Sequence, residues 1–177
     1  MELDQLDIAL LGALRQHPRS GELELSRRLG VARATVHARS RRLETAGVIT
    51  GYGPDVDLAA AGYPVTAFVT LEIAQGALGQ ATAELTGVPG LLEAYSTTGN
   101  GDVLCKVAAR SHLELQEALL QLSRLPVVVR STSIIALSVI VSPRCLPLLA
   151  SGSASGTPRA PGYRPPGPPA TPTLPTG

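Results

Sequence analysis

Two hydrophobic periods divide the chain. In residues 1–45 the apolar positions recur every three or four residues, which is the spacing of amphipathic helices. From residue 65 the period becomes two, as in a strand that buries one face. The inward positions of that strand are Val65, Ala67, Val69, Leu71 and Ile73. The pattern therefore predicts a helical N-terminal part followed by a part built on a sheet.

Three helices are predicted in the N-terminal part. The first runs from about Leu3 to Gln16 and stops before Pro18, because the residue ahead of a proline is displaced from the helical region. The second ends at Gly30, since glycine adopts the left-handed conformation that terminates helices. The third starts near Arg33 after a short turn. Short helices joined by such a turn are typical of a helix-turn-helix that reads DNA.

The segment that follows the third helix contains turn-forming residues. Gly47–Tyr52 indicates a helix end and then a short strand, which would form a wing or a pairing arm. Residues 53–64 hold Gly53-Pro54 and a capped turn that begins at Asp57, so they are interpreted as a linker. The DNA-binding domain is therefore placed at residues 1–52.

The remaining part predicts a ferredoxin-like domain at residues 65–149. The expected elements are a strand over 65–73, a helix over 78–85, strands over 91–98 and 103–109, a helix capped by Ser111, and a strand over 128–141. The order βαββαβ is that of a split βαβ sandwich, so the fold class is α+β. Because both faces of the last strand are apolar, we expect the sheet to self-associate.

Residues 150–177 differ sharply in composition from the rest. Residues 151–177 hold eight of the fifteen prolines and few residues that could be buried. This composition predicts a disordered, proline-rich tail.

Positive charge is concentrated in the helix-turn-helix. Residues 19–42 contain seven arginines against two acids, whereas residues 53–150 carry five basic and eight acidic residues. The N-terminal part of a reading helix enters the major groove, so Arg33, Thr35 and His37 are predicted to contact base edges. Phosphate contacts are predicted for Arg39, Arg41, Arg42 and Tyr52. The alternative is a solvated helix face held by ion pairs.

The amino-acid composition limits which classes of function remain possible for this chain. Aromatic residues make up only 3% of the chain, which disfavours recognition of single strands by base stacking and favours duplex DNA. Two cysteines forty residues apart, Cys105 and Cys145, match neither a zinc cluster nor a disulfide framework. The acidic N-terminus and the lack of a long apolar run predict a cytoplasmic protein without a membrane span. No metal or cofactor is expected.

Several segments together resemble the Lrp/AsnC (feast/famine) family of bacterial and archaeal transcription regulators. They are LDQLDIALLGAL, ELSRRLGVARATVHARSRRLETAGVITGY, AGYPVTAFVTLEI, VPGLLEAYSTTGNGDVLCKV and LPVVVRSTSII, in the family's order over residues 2 to about 149. The resemblance implies a winged-helix-type DNA-binding domain joined to a ligand-sensing domain that dimerises through its sheet, with further assembly to tetramers or octamers in such proteins.

The resemblance also implies a small effector, commonly an amino acid, bound near the loop over residues 99–102. The residues it indicates are Gly99, Asn100, Gly101, Asp102 and, on the last strand, Ser133. Exposed amides would bind a carboxylate and Asp102 an ammonium group. The chain departs from the family at Ala32, where a serine is usual, and at Gly101, where an aromatic residue is common, which is expected to open the pocket.

Other functions stay open. The loop at 99–102 could be an ordinary hairpin turn. Siroheme decarboxylases resemble this family in fold and are enzymes, but the sensing domain offers His112 as its histidine, at a helix start. We therefore expect a protein that is not an enzyme. A metabolite-binding module that does not bind DNA is the third alternative.

Overall fold

The computed structural model describes residues 1–152, so the predicted tail falls outside the described residues from residue 153 onward. The chain divides into two compact units, Asp55–Ser142 and Met1–Pro54 together with the residues from Pro143. The elements are α1 (Gln5–Gln16), α2 (Glu22–Leu29), α3 (Arg33–Thr45), β1 (Val65–Ile73), α4 (Leu78–Thr86), β2 (Leu91–Ser96), β3 (Val103–Ala109), α5 (His112–Ser123), β4 (Val128–Ala136) and α6 (Leu146–Gly152).

The first unit contains the predicted three helices. Asp4 caps α1 by accepting from the Asp7 amide, and the Asp7 side chain accepts from the Asp4 amide in return. Gly30 ends α2 with a φ of 66°, as its position predicted. The apolar stripes of the helices meet in a core of Leu10, Leu25, Val36 and Leu43. The helix-turn-helix prediction is therefore confirmed.

The predicted strand within Gly47–Tyr52 does not form in the described chain. The amides of Val48 and Ile49 instead donate to the Leu43 carbonyl, at 2.9 and 3.2 Å, and so cap the end of α3. Ile49 packs against the helical core. A strand needs a partner strand for its amides, and here the helix end supplies the acceptor.

The second unit is the predicted ferredoxin-like sandwich. Its four strands are antiparallel in the order β2-β3-β1-β4. Alternate residues of β1 and β3 are buried against α4 and α5. The inward set is Ala67, Val69, Leu71, Cys105 and Val107, packed with Ala81, Leu85, Leu115 and Leu122. The period of two in the sequence therefore gave the correct buried face.

The last strand is shorter than predicted. β4 ends at Ala136, whereas the apolar run suggested Val141. Ala136 pairs with Thr66, and β1 begins at Val65, so no partner backbone extends beyond that point. The exposed residues that follow include Leu137, whose exposed fraction is 97%. Apolar composition alone thus extended the prediction past the end of the ladder.

The residues after the sheet belong to the helical unit. Residues from Pro143 group with Met1–Pro54, and Arg15 donates to the Pro143 carbonyl at 3.3 Å. The short helix α6 lies against α1. This placement differs from the predicted boundary, which assigned residues up to 149 to the sheet domain. No helix within residues 1–152 has the length and apolar character needed to cross a bilayer.

Candidate nucleic-acid interface and effector loop

Helix α3 buries one side and exposes the other. Val36 and Leu43 lie in the core, while Ala34, Ala38 and Arg41 are exposed. The exposed residues follow one another at intervals of four and three, so they form a row along the outward face. Within residues 1–152, no carboxylate pairs with Arg41. This row, defined here as the outward row, is a narrow surface of two methyl groups and one free guanidinium.

Arg33 and His37 flank the outward row and both contact α2. The Arg33 Nε donates to Glu22 at 3.2 Å, and the His37 Nδ1 lies 2.6 Å from the other oxygen of the same carboxylate. The hydrogen bonds from His37 and Arg33 hold the pKa of Glu22 below its usual value. Two of the three side chains that were predicted to contact bases, Arg33 and His37, therefore share one acidic partner.

The third predicted base contact, Thr35, lies elsewhere. It is half-buried and lines a crevice with Leu6 and Val31, toward α1. Its position on α3 is one residue before the buried Val36, so its side chain does not join the outward row. The structure thus brings Arg33 and His37 together and leaves Thr35 apart.

Arg39 and Arg42, which were predicted to hold phosphates, bind acids of α1. Arg39 donates to Asp4 at 2.5 Å and to Asp7 at 2.9 Å, and Arg42 donates to the second oxygen of Asp7. The Asp7 side chain is fully buried. The hydrogen bond to Asp4 is the main cause that raises the pKa of Arg39. These arginines therefore tie α3 to α1, and their predicted phosphate contacts stay predictions.

Asp4 belongs to the same ionic cluster. Partial burial disfavours its charged form, but the hydrogen bonds from Arg39 and from the Asp7 amide outweigh it, so the pKa of Asp4 lies below its ordinary value of 3.8. The ion pairs among Asp4, Asp7, Arg39 and Arg42 join the first and third helices.

Tyr52 was also predicted to contact phosphate. Its hydroxyl donates to Glu44, near the end of α3, at 2.6 Å. Partial burial together with the Glu44 carboxylate raises the pKa of Tyr52 to about 12. The neutral hydroxyl is therefore committed to the C-terminal turn of α3 in this structure.

Sequence reasoning did not select Ala34, Ala38, Glu22 or Asp7. Ala34 and Ala38 are small residues one helical turn apart. The sequence could have indicated their exposure only through their position on the side of α3 opposite Val36, because alanine has no distinctive chemistry. The side-chain partners of Glu22 and Asp7 lie 11 to 35 residues away, so no local spacing reveals them.

The predicted effector loop folds back on the central strand. The Asp102 amide donates to the Leu71 carbonyl at 2.9 Å, and its carboxylate accepts from the Ile73 amide at 2.8 Å. Thr97 donates its hydroxyl to the Gly101 carbonyl at 2.8 Å. Among the described residues, no hydrogen bond engages the amides of Gly99 and Asn100, and both residues are exposed. The tip of the loop therefore offers two backbone N–H donors, while the residues at its base are held by hydrogen bonds.

Gly101 does not open a pocket as expected. It is buried, and a Cβ at this position would lie 2.1 Å from the Thr70 Cγ2 atom. The absence of a side chain instead allows the loop to lie directly on β1. An aromatic residue here would require Thr70 to move, so the expectation of an enlarged pocket is corrected to one of a closer loop.

Ser133 lies on the edge strand and pairs with Val69, two residues along β1 from the Leu71 that anchors the loop. A separate groove of about 460 Å³ lies between α4 and β2 and reaches Val103 at the base of the loop. The hydroxyls of Thr82 and Thr86 in this groove donate to carbonyls of their own helix. Glu93, Tyr95 and Ser96 also line this groove, so its surface combines polar and apolar groups.

Comparison with known proteins identifies both units. A family model described as "Lrp/AsnC ligand binding domain" matches residues 66–145, and one described as "Winged helix-turn-helix DNA-binding" matches residues 3–50. The regulatory protein AsnC of Escherichia coli K12 is 34% identical over 119 residues, which cover 67% of this chain and 78% of that protein.

Two further relatives agree. The transcriptional regulator FL11 of Pyrococcus horikoshii is 29% identical over 70% of this chain and 82% of its own. The solved structure of E. coli AsnC superposes with a TM-score of 0.77 at 30% identity, over 83% of this chain and all of that one. These relatives are regulators, which favours regulation over the decarboxylase-like alternative. The chain belongs to the Lrp/AsnC family of DNA-binding transcriptional regulators.

Proposed function

We propose that the protein is a homodimer that reads a pseudo-palindromic duplex with two copies of α3 and changes its DNA affinity when an amino acid binds near residues 99–102. The family establishes a regulator with a DNA-binding and a ligand-binding domain. Recognition helices of such a dimer would contact half-sites about 34 Å apart. Because the proposed target is chromosomal DNA, the proposed location of the protein is the cytoplasm.

The outward row is the observation that carries the DNA-reading proposal. The major groove admits an α-helix, and the small side chains of Ala34 and Ala38 allow its backbone to approach the base edges closely. Methyl groups of alanine also contact thymine methyls in this groove. Arg41 adds a cation that no carboxylate within residues 1–152 neutralises. The row thus supplies close approach, apolar contact and charge on one face.

We expect Arg41→Ala to weaken duplex binding at least about tenfold at ~0.1 M salt, because each subunit of the proposed dimer loses one phosphate contact. The slope of log affinity against log salt should fall by about 0.9 for each subunit, or about 1.8 for the dimer, and selected and random duplexes should lose affinity alike. Fluorescence anisotropy over a salt series measures both. Arg124→Ala, at the exposed end of α5, is the matched control. An unchanged salt slope would remove Arg41 from the interface.

The outer face of the sheet, opposite α4 and α5, supports the proposed dimer. Phe68 pairs across the ladders with Ile134 and Lys106, and Tyr95 pairs with Leu104. Phe68, Tyr95 and Ile134 are all exposed, although each is largely apolar. An antiparallel sheet with helices on one side leaves such a face for a partner. The proposal therefore covers it with a second copy of the chain.

Ile134→Asp should dissociate that dimer. An unpaired carboxylate inside the contact costs more than about 2 kcal/mol, which raises the dissociation constant at least ~30-fold. Analytical ultracentrifugation over a concentration series gives the constant. Leu113→Asp on α5 is the control, because Leu113 and Ile134 have the same exposed fraction of 67%. Equal constants for both variants would argue against this face.

The loop over residues 99–102 is the proposed effector site. Exposed amides of Gly99 and Asn100 suit a carboxylate, and Asp102 places a negative charge nearby for an ammonium group. One oxygen of Asp102 is already fixed by the Ile73 amide, which holds the carboxylate in place. Ser133 on β4 is proposed as a further contact.

Asp102→Asn tests the charge without removing the anchor, since the amide oxygen still accepts from the Ile73 amide. Calorimetric titration with each of the standard amino acids should identify a binder for the unmodified chain. The variant should bind it about tenfold or more weakly, because a charged hydrogen bond is lost. Ser96→Ala, on the exposed edge strand, is the control. Undiminished binding by Asp102→Asn would move the site away from this carboxylate.

A further inference from the structure

Glu22 is an acid placed beside a surface that is proposed to meet DNA. It is the first residue of α2, and its side chain is about one-third exposed. A carboxylate close to phosphates weakens binding by repulsion. A role that offsets this repulsion would explain why an acid lies here. Glu22 contacts Arg33 and His37, the two side chains that flank the outward row.

The contacts of Glu22 restrict the chemistry of both partners. A carboxylate can only accept, so the His37 Nδ1 that lies 2.6 Å away carries the proton. In the neutral form of the ring, Nε2 is then unprotonated and can accept from the amino group of adenine or cytosine. Arg33 is held through Nε, so its terminal nitrogens are left for guanine or phosphate.

The two partners are also placed in register. Arg33 and His37 are one helical turn apart on α3, and a single carboxylate fixes both from the neighbouring helix. Their side chains remain exposed, at 67% and 58%. Long side chains lose conformational freedom when they bind, so holding them in advance favours the correct base contact.

We infer that Glu22 is a positioning residue for base recognition: it fixes the tautomer of His37 and the direction of Arg33, and thereby sets the operator preference. This inference rests on the proposed insertion of α3 into the major groove. It predicts that Glu22 contributes to discrimination between duplexes while it lowers affinity for DNA in general.

Glu22→Gln is the principal test. The probe is the duplex that the unmodified chain enriches from a randomised library, compared with a scrambled duplex of the same composition. The preference for the enriched duplex should fall about tenfold, the lower range for one base contact, while affinity for the scrambled duplex stays equal or rises. Glu22→Asp keeps the charge but shortens the reach, so it should lose the same preference.

Glu24→Gln is the matched control. It removes the same charge from the same helix two residues away, where Glu24 pairs with Arg28 at 2.7 Å. Its preference should equal that of the unmodified chain. In an Arg33→Ala, His37→Ala background, Glu22→Gln should have no further effect on preference. Circular dichroism confirms that each variant is folded.

Three outcomes would overturn the inference. Equal preference for Glu22→Gln and the unmodified chain removes the positioning role alone. A further loss in the Arg33→Ala, His37→Ala background shows that Glu22 acts through other groups. Failure of the unmodified chain to bind any duplex would overturn the proposed DNA reading, and this inference with it.

Discussion

Asp7→Ala is expected to destabilise the helical unit by about 3 kcal/mol, the cost of breaking a buried ion pair. Asp7 is fully buried and accepts from Arg39, from Arg42 and from the Asp4 amide. The value lies at the lower end of the range because Arg42 is half-exposed and regains water. Such a loss is a large fraction of the free energy of unfolding of a small domain.

The measurement should resolve the two units, since one unfolding curve does not describe a two-domain chain. Hydrogen exchange followed by mass spectrometry reports α1 and α3 separately from β1 and β3. Exchange should accelerate in the helices and stay constant in the sheet. Glu24→Ala, an exposed acid of the same unit, should change neither. Protection of α1 equal to that of the unmodified chain would show that the cluster adds no stability.

The outcome for Arg39 and Arg42 shows where sequence reasoning stopped. Seven arginines in a short segment correctly indicated a basic helix-turn-helix. Charge counting could not tell which of them face acids of α1, because their partners lie 32 and 35 residues earlier in the chain. The ion pairs of the alternative interpretation are present at Arg39 and Arg42, while the DNA contact of Arg41 stays a proposal.

Local periodicity predicted most elements closely. The bounds of β1 and β3 agree with the expected residues, and Ser111 caps α5 as predicted. Errors arose where an element depends on a distant backbone. The strand in Gly47–Tyr52 had no partner, and β4 stopped where β1 begins. The presence or absence of a partner strand, rather than the β-propensity of the residues, determined where these two strands form and end.

The effector loop shows the same limit at atomic scale. The sequence identified Gly101 as unusual and placed it in a hairpin. Only the packing shows that the glycine allows contact with Thr70, because these residues are brought together by the β1–β3 ladder. An absent side chain can close a space as well as open it.

Ala38→Glu is expected to abolish duplex binding, with affinity lowered at least a hundredfold on selected and random duplexes. Ala38 is exposed in the centre of the outward row, so a carboxylate there meets phosphates and base edges. Juxtaposed like charges cost several kcal/mol. The fold should be retained, because glutamate is a good helix former and Ala38 is exposed.

Two variants separate the causes of that loss. Ala38→Gln adds the same bulk without charge, so it should weaken binding to the selected duplex more than to random DNA. Ala9→Glu places the same charge on the exposed side of α1. The opposite side of α1, which carries Asp7, packs against α3. This variant should therefore change the affinity for DNA by no more than a few-fold. Electrophoretic mobility shift at fixed salt compares all three. If Ala38→Glu and Ala9→Glu bind duplex DNA equally well, the outward row does not enter the groove and another face of this unit must read the operator.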